Sequence, residues 1–146
     1  FQVLIEKEWC SSGHKFSDRT RHLNGSQPLS ESSPIFLQFV DAVWQILNIV
    51  PNEFEFNEEL LKELLFQTYS CYFVNFRFNN WNEFLEYGQT LTDVWNLLNR
   101  THRKSRYLNA SFHPTTTVLP LDCLEQISLS FWKGYYCAYN VLHNSV

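Results

Sequence analysis

The stretch "SSPIFLQFVDAVWQILNIVP", residues 32–51, decides the fold expected for this chain of 146 residues. Its apolar side chains recur at helical spacing, Ser33 can cap the first turn, Pro34 suits the start of a helix, and Pro51 ends it. The polar residues fall on one narrow stripe of this helix: Gln38, Asp41, Gln45 and Asn48. The rest of its surface is apolar, so we expect the helix to be buried on every side except this stripe and to lie centrally in a larger domain.

Helical patterns continue on both sides of this stretch, so the predicted fold class is mostly α. "FQVLIEKEWCSS", residues 1–12, has helical spacing and reaches a stop at Gly13. "FEFNEELLKELLFQTYSCYF", residues 54–73, contains a helix capped by Asn57. Weaker signals predict two more helices, one at 91–99 capped by Thr90 and one at 122–142. Loops are predicted at 21–33 and 100–120, and a short extended piece at 75–80.

Composition indicates one folded, aromatic-rich domain of a larger protein. Hydrophobic residues make up 45% of the chain and aromatic residues 17%, and the net charge of -4 argues against nucleic-acid binding. No apolar run has the length of a membrane span, and the four cysteines have no CxxC spacing, which is typical of free thiols in a reducing cytosol. The chain has no methionine and begins at Phe1 within a helical pattern, so we expect it to be a piece of a longer protein.

Positive charge is concentrated in two short segments of this acidic chain. "GHKFSDRTRH", residues 13–22, has five Lys, Arg or His side chains among ten, and "RTHRKSR", residues 100–106, is the second segment. Lys15 and Arg19 are four residues apart and share one face of any helix, where two converging cations favour a bound anion. The residues alone leave both a solvated loop and an anion pocket open for the first segment. For the second they leave a solvated loop or a membrane-surface contact.

Two cysteine patterns suggest chemistry that their neighbours argue against. Cys71 and Arg77 have the Cys-x5-Arg spacing of cysteine-dependent phosphatases, whose loop needs small residues so that backbone N–H groups can converge on a phosphate. The bulky Tyr, Phe and Val residues between them predict the end of a helix instead. Cys10 and His14 have the spacing of a metal-binding pair, but Gly13 interrupts the helix between them. We therefore predict neither a nucleophile nor a metal site at these positions.

Several stretches of the chain occur in the order and at the approximate spacing of one known family. They are "FQVLIEKEW" (1–9), "GHKFSDR" (13–19), "SPIFLQFVDAVWQIL" (33–47), "FEFNEELL" (54–61) followed by "YSCYF" (69–73), and "FWKGYY" (131–136). This arrangement resembles the myotubularin family of phosphoinositide 3-phosphatases. The resemblance is dense over residues 1–78, thin from 79 to 120, and returns at the last predicted helix.

The resemblance implies that residues 1–146 are the helical C-terminal half of an α/β cysteine-phosphatase domain, similar to that of protein tyrosine phosphatases. The family's catalytic Cys-x5-Arg loop would lie upstream of Phe1, so no catalytic residue is expected in this chain. In the family, the basic positions of a GH-Arg/Lys-F-x-x-Arg motif contact the phosphates of the inositol headgroup. These positions correspond to Lys15 and Arg19, with His14 beside them. The chain departs from the family at Arg21, where a glycine is usual, and the role of this arginine stays open.

The resemblance also implies an activity and partners for the parent protein. The parent would hydrolyse the 3-phosphate of phosphatidylinositol 3-phosphate and its 3,5-bisphosphate through a phosphocysteine, with no metal or cofactor. Its partners would be the phosphoinositide headgroup, a membrane surface, and a second family member in a homo- or heterodimer. The expected location is the cytoplasm, peripheral to endosomal membranes. The alternative is a fragment of a catalytically inactive member, a pseudophosphatase that serves as an adaptor for an active relative.

Overall fold

A computed structural model describes residues 1–20, 32–113 and 128–138, and helices dominate these ranges. The described residues contain no β-sheet, and Phe56 and Leu108 form an isolated antiparallel bridge. No helix within these ranges has the length and apolar character needed to cross a bilayer. The mostly α fold class is therefore confirmed. The helices are α1 (Gln2–Ile5), which continues into a π-helical turn (Glu6–Cys10), α2 (Phe16–Thr20), α3 (Ile35–Ile49), α4 (Glu58–Ser70), α5 (Trp81–Tyr87), α6 (Val94–Leu98), α7 (Thr101–Tyr107) and α8 (Lys133–Tyr136).

Helix α4 lies at the centre of the core. It begins after Asn57, whose side chain accepts a hydrogen bond from the N–H of Glu59 at 3.0 Å, as the sequence predicted. The amide group of Asn57 also donates to the carbonyl oxygens of Arg106 at 2.9 Å and Leu108 at 3.0 Å, so the cap holds the end of α7 as well. The inner face of α4 has no solvent exposure at three leucines: Leu61, Leu64 and Leu65.

Helix α3 confirms the predicted helix but is less deeply buried than expected. It begins at Ile35, its N-cap residue is Pro34, and no side chain caps it, so the predicted cap by Ser33 is wrong. Val40 is fully buried, whereas Ile35 is 40% exposed and Ala42 is exposed. The expectation that only the polar stripe would lie outside the core is also wrong, because Ile35 and Ala42 are exposed and do not belong to the stripe.

The polar stripe of α3 binds another part of the chain. Gln45 is buried, its side-chain N–H donates to the carbonyl of Ser130 at 2.8 Å, and its carbonyl oxygen accepts from the N–H of Ser130 at 3.0 Å. The hydroxyl of Tyr136 donates to Asp41 at 2.8 Å. Burial and this hydrogen bond raise the pKa of Tyr136 to about 12. The stripe therefore fastens residues 128–138 to α3.

Residues 128–138 are anchored to the core mainly by Trp132, which is fully buried. Its ring stacks on Trp44 with centroids 5.3 Å apart, and its indole N–H donates to the Glu58 carboxylate at 3.1 Å. Burial opposes ionisation of Glu58, but hydrogen bonds from Lys62 and the two tryptophans outweigh it and lower the pKa of Glu58. A Cβ atom on Gly134 would lie 2.5 Å from a carboxylate oxygen of Glu58, so any larger residue there would require the Glu58 side chain to move.

Two helices in the middle of the chain were not predicted from the sequence. Helix α5 begins after Asn80, whose side chain accepts from the N–H of Glu83 at 3.0 Å. Helix α7 occupies residues that were predicted to form a loop. Helix α6 begins later than predicted, because its cap is Asp93 and not Thr90. In each case a local polar cap or a tertiary contact outweighs a weak periodic signal.

Two further predictions of secondary structure are wrong where the structure describes them. The segment 75–80 was predicted to be extended, but a 3-10 turn runs over Val74–Phe76. The last helix was predicted at 122–142, but the described helix is Lys133–Tyr136 and residues 128–132 are not helical. Residues 137–138 are also not helical, and the remaining parts of that predicted helix, 122–127 and 139–142, lie outside the described residues, as do Arg21 and His22.

Candidate anion-binding site

The basic segment follows a first helix that is tied to the core by Glu6. The Glu6 carboxylate accepts hydrogen bonds from the side chain of Asn75, at 2.7 Å, and from the indole N–H of Trp95. Asn75 is buried, and its side-chain oxygen accepts a hydrogen bond from the backbone N–H of Val94 at 2.8 Å. Burial raises the pKa of Glu6, although these hydrogen bonds favour its charged form. The first helix therefore has a fixed orientation when it reaches the basic segment.

A tight turn at Gly13 reverses the chain after the first helix. Gly13 has φ +85, a backbone conformation that L side chains rarely adopt, and this explains the glycine. The N–H of His14 then donates to the carbonyl of Trp9 at 3.1 Å, and the N–H of Phe16 donates to the carbonyl of His14 at 2.8 Å. The predicted helix stop at Gly13 is confirmed. The turn directs residues 14–19 away from the first helix.

Aromatic rings hold the turn from beneath. Phe16 is 1% exposed and packs against Phe36, with centroids 5.2 Å apart, and against Phe76 at 5.1 Å. The ring of His14 makes edge contacts with Trp9 at 4.9 Å and with Phe16 at 4.6 Å. Buried aromatic contacts of this kind fix side-chain orientation as well as contributing burial energy. His14 and the start of α2 are therefore firmly seated.

The three predicted site residues lie on this turn and on the helix that follows it. The N–H of Arg19 donates to the carbonyl of Lys15 at 2.9 Å, so these two residues are one helical turn apart. The side chain of Lys15 is 56% exposed, with its ammonium nitrogen 4.0 Å from Asp18, and Arg19 is half-buried. Burial, followed by the positive charge of Arg19, lowers the pKa of His14. The structure thus brings Arg19 close to His14 and places Lys15 at the exposed edge.

A polar pair holds α2 on its other side. The side-chain N–H of Asn79 donates to the Asp18 carboxylate at 3.0 Å, and the backbone N–H of Asp18 donates to the side-chain oxygen of Asn79 at 3.0 Å. The two residues are 61 positions apart in the chain. No motif or spacing in the sequence singled out Asn79, because an Asn among several polar residues carries no distinguishing local signal.

Cys71 and Arg77 do not form a phosphate-binding loop. Cys71 is buried, and its thiol contacts the carbonyl oxygens of Thr68 and Phe76, each at 3.6 Å. Burial raises the pKa of this thiol, although Thr20 and Arg77 act in the opposite direction. Of the intervening residues, Val74–Phe76 fold into a 3-10 turn with their side chains buried. A buried, protonated thiol without converging N–H groups is not suited to nucleophilic attack.

Cys10 has an equally unreactive setting. Its thiol lies 3.4 Å from the carbonyl oxygen of Asn75, and burial, reinforced by the charges of Glu6 and Asp93, raises its pKa far above the usual value. Within residues 1–20, 32–113 and 128–138, no group of three or more His, Cys, Asp or Glu side chains is arranged to hold a metal ion. Cys10 and His14 therefore belong to the packing beneath the turn.

We expect the isolated chain to release no phosphate from a chromogenic phosphate ester, and Cys71→Ser to leave the background unchanged. The buried thiol of Cys71 should also resist alkylation at neutral pH, since only the thiolate reacts. Iodoacetamide labelling followed by mass spectrometry checks this, with the half-buried Cys137 as the internal positive control. Phosphate release that disappears in Cys71→Ser would show that this cysteine is catalytic after all.

The second basic segment is a helix and not the solvated loop considered above. On α7, Arg106 lies 2.8 Å from Glu59 and Arg103 lies 3.9 Å from Glu63, both on the first half of α4. Thr20, at the end of α2, contacts Cys71 at the other end of α4. Eight residues of helix from Glu63 to Cys71 span about 12 Å. The two basic segments therefore contact α4 at different places.

Comparison with known proteins places this helical fold and its basic turn in a phosphatase domain. Residues 1–85, more than half of the chain, match the myotubularin-like phosphatase domain. The chain belongs to the myotubularin-like phosphatase family. The resemblance inferred from the sequence motifs is thereby confirmed, and so is the assignment of these helices to a phosphatase of this class.

Curated relatives are similar to nearly the whole chain. It is 36% identical to myotubularin of Xenopus tropicalis over 142 residues, covering 96% of this chain and 23% of that protein. Myotubularin of Rattus norvegicus is 36% identical over 144 residues, covering 96% of this chain and 23% of that protein. Phosphatidylinositol-3,5-bisphosphate 3-phosphatase MTMR8 of Homo sapiens is 39% identical over 137 residues, covering 92% of this chain and 19% of that protein. The chain thus spans less than a quarter of the length of these relatives.

Proposed function

We propose that this chain supplies core helices and one basic wall of the headgroup pocket in a phosphatase that acts on phosphatidylinositol 3-phosphate and its 3,5-bisphosphate. Family membership supports the activity, and the substrate named for the human relative supports the substrate class. The observation that carries the proposal is the seating of His14, Lys15 and Arg19 on one turn above buried aromatic rings. A rigid cationic turn favours a multiply charged anion.

The three basic residues would contribute in different ways. Arg19 offers a planar guanidinium that can hold two phosphate oxygens at once, which an ammonium group cannot do. Lys15 is more than half exposed and its contact with Asp18 is long, so exchanging that contact for a phosphate oxygen costs little. His14 lies beside Arg19 and gains a favourable interaction when it is protonated next to a bound anion.

In the parent enzyme these residues would bind and orient the headgroup, while a cysteine thiolate from a Cys-x5-Arg loop outside this chain attacks the 3-phosphate. That attack forms a phosphorus–sulfur bond and breaks the bond to the inositol oxygen, which leaves with a proton. Water then hydrolyses the phosphocysteine and releases inorganic phosphate. The chemistry requires no metal, and the basic wall serves binding and alignment.

The proposal extends to location and partners. A lipid substrate requires that the parent act at a membrane surface, and we propose the cytoplasmic face of endosomal membranes, with homo- or heterodimers among family members. A catalytically inactive parent that serves as an adaptor is the competing hypothesis. It predicts headgroup binding without phosphate release, whereas an active parent shows both.

We expect the pKa of His14 to rise when a phosphoinositide headgroup binds. The positive charge of Arg19 contributes to lowering this pKa in the free protein, and a bound anion would offset that charge. Binding would then take up a proton, so affinity should increase as the pH falls through the titration range of His14. Histidine-labelled parent protein, titrated by NMR with and without inositol 1,3-bisphosphate, measures the shift.

Exposed His102 on α7 serves as the control for this titration, because α7 contacts a different part of α4 from the basic turn. Its NMR signals should be the same with and without the headgroup. Assignment of the His14 resonance follows from its disappearance in His14→Gln. An unchanged His14 titration at saturating headgroup would contradict the proposed site.

A further inference from the structure

Helix α2, which carries Arg19, depends on tertiary contacts for its position. It has five residues, fewer than a helix needs to be stable on its own. Buried Phe16 fixes its inner side, and its outer side is held by the pair of hydrogen bonds between Asp18 and Asn79. The position of α2, and of Arg19 on it, is therefore set in part by Asn79, which lies 61 positions from Asp18 in the chain.

Asn79 is itself held rigidly. Its N–H donates to the Glu83 carboxylate at 2.9 Å, and the side chain of Asn80 donates to the other oxygen of that carboxylate at 2.7 Å. Because Glu83 lies in the first turn of α5, a continuous series of hydrogen bonds runs from α5 through Asn79 to Asp18. Asn79 thus joins α2 to the start of α5.

The pair also affects the charge of the basic turn. Asp18 lies between Lys15 and Arg19 in the sequence, and a carboxylate there competes with any phosphate for the same cations. Asn79 binds one oxygen of Asp18, and the other stays 4.0 Å from the Lys15 ammonium. The Asp18 side chain is only 16% exposed, so it is directed toward the protein. Without the hydrogen bond from Asn79, this carboxylate would be free to shorten its existing contact with Lys15.

We propose that Asn79 is a positioning residue of the headgroup site: through Asp18 it fixes α2 so that Lys15 and Arg19 face one anion, and it keeps the Asp18 carboxylate from occupying them. This inference rests on the proposed function of the basic turn. Asn79 itself does not touch the substrate. Its effect reaches the site through the two hydrogen bonds with Asp18.

The test compares variants of the full-length parent protein by calorimetric titration with inositol 1,3-bisphosphate. Asn79→Asp places two carboxylates against each other and should weaken binding about tenfold, the effect expected when one charge-assisted contact is misplaced. The double variant Asp18→Asn, Asn79→Asp can form both hydrogen bonds again: the side-chain bond with donor and acceptor exchanged, and the bond from the backbone N–H of residue 18 in its original direction. It should restore affinity to within about threefold of wild type, which corresponds to well under 1 kcal/mol.

Thermal unfolding separates positioning from plain stabilisation. A merely structural role would lower the melting temperature of Asn79→Asp and leave the Kd of the folded protein unchanged, and this result would overturn the inference. Asn109→Ala is the matched control, because it removes two side-chain hydrogen bonds of another half-buried asparagine, to the carbonyl oxygens of Pro51 and Phe54, without touching Asp18 or Asn79. Equal weakening by Asn109→Ala would also overturn the inference. If Asn79→Asp does not fold, Asn79→Ala replaces it, because it removes both hydrogen bonds without adding a charge. Its Kd and melting temperature then test the inference in the same way.

Arg19→Ala in the same titration distinguishes failure of the proposed headgroup site from failure of the proposed role of Asn79. Unchanged affinity in Arg19→Ala would reject the proposed function, and the role of Asn79 with it. Weakened affinity in Arg19→Ala, with wild-type affinity in Asn79→Asp or no restoration in the double variant, would reject the role of Asn79 alone.

Discussion

Replacement of Trp132 by alanine is expected to lower the free energy of unfolding by about 3–5 kcal/mol. Trp132 is fully buried and stacks on Trp44, and its loss leaves a cavity between residues 128–138 and the core. The Glu58 carboxylate also loses a hydrogen-bond donor in a partly buried setting. Since domains of this size are stable by about 5–15 kcal/mol, this change removes a large part of the total. Urea denaturation of wild type and variant measures it.

Trp81 is the matched control for Trp132, because it is also a tryptophan stacked on a neighbouring ring, but it is 43% exposed. Trp81→Ala should cost clearly less, about 1 kcal/mol, since it leaves no closed cavity. Trp132→Phe keeps an aromatic ring and loses the indole N–H, so we expect an intermediate loss of about 1–3 kcal/mol. Equal losses in Trp132→Ala and Trp81→Ala would show that residues 128–138 are not anchored as described.

Arg19→Ala is expected to weaken headgroup binding or turnover by the parent protein at least about tenfold, with little change in thermal stability. The loss of a charge-assisted hydrogen bond to a phosphate typically costs about 1.5–3 kcal/mol, which is about tenfold to a hundredfold in binding. Arg19→Lys should give an intermediate loss, because it keeps the charge and loses the planar two-pronged contact. Steady-state kinetics or calorimetric titration measures the change.

Arg103→Ala is the control for generic positive charge. Arg103 is also an arginine, its side chain is 42% exposed, and its partner Glu63 lies about two helical turns from the end of α4 that α2 contacts. We expect its removal to change binding less than twofold, as for other exposed ion pairs. Small and equal effects of Arg19→Ala and Arg103→Ala on headgroup binding would contradict the proposed headgroup pocket. A large loss of stability in Arg19→Ala would instead assign Arg19 to a structural ion pair.

The sequence by itself determined the elements whose signals are local. The periodic apolar pattern of α3 and the cap at Asn57 each involve residues within a few positions of one another, and both helices appear where they were predicted. Gly13 was also predictable, since its positive φ reflects a turn formed by its immediate neighbours. The order of the motifs identified the family, because it depends on residue identity and spacing and not on contacts.

Only the tertiary structure decided what the polar residues contact. Gln45 binds Ser130 across 85 positions, and Asp18 binds Asn79 across 61, distances over which sequence spacing carries no information about pairing. Helix α7 is short and bears no strong cap, and its arginines become ordered by pairing with glutamates of α4. Periodicity reports which face of a helix is apolar. It does not report which distant donor satisfies a buried polar group, because that choice is made when the elements pack.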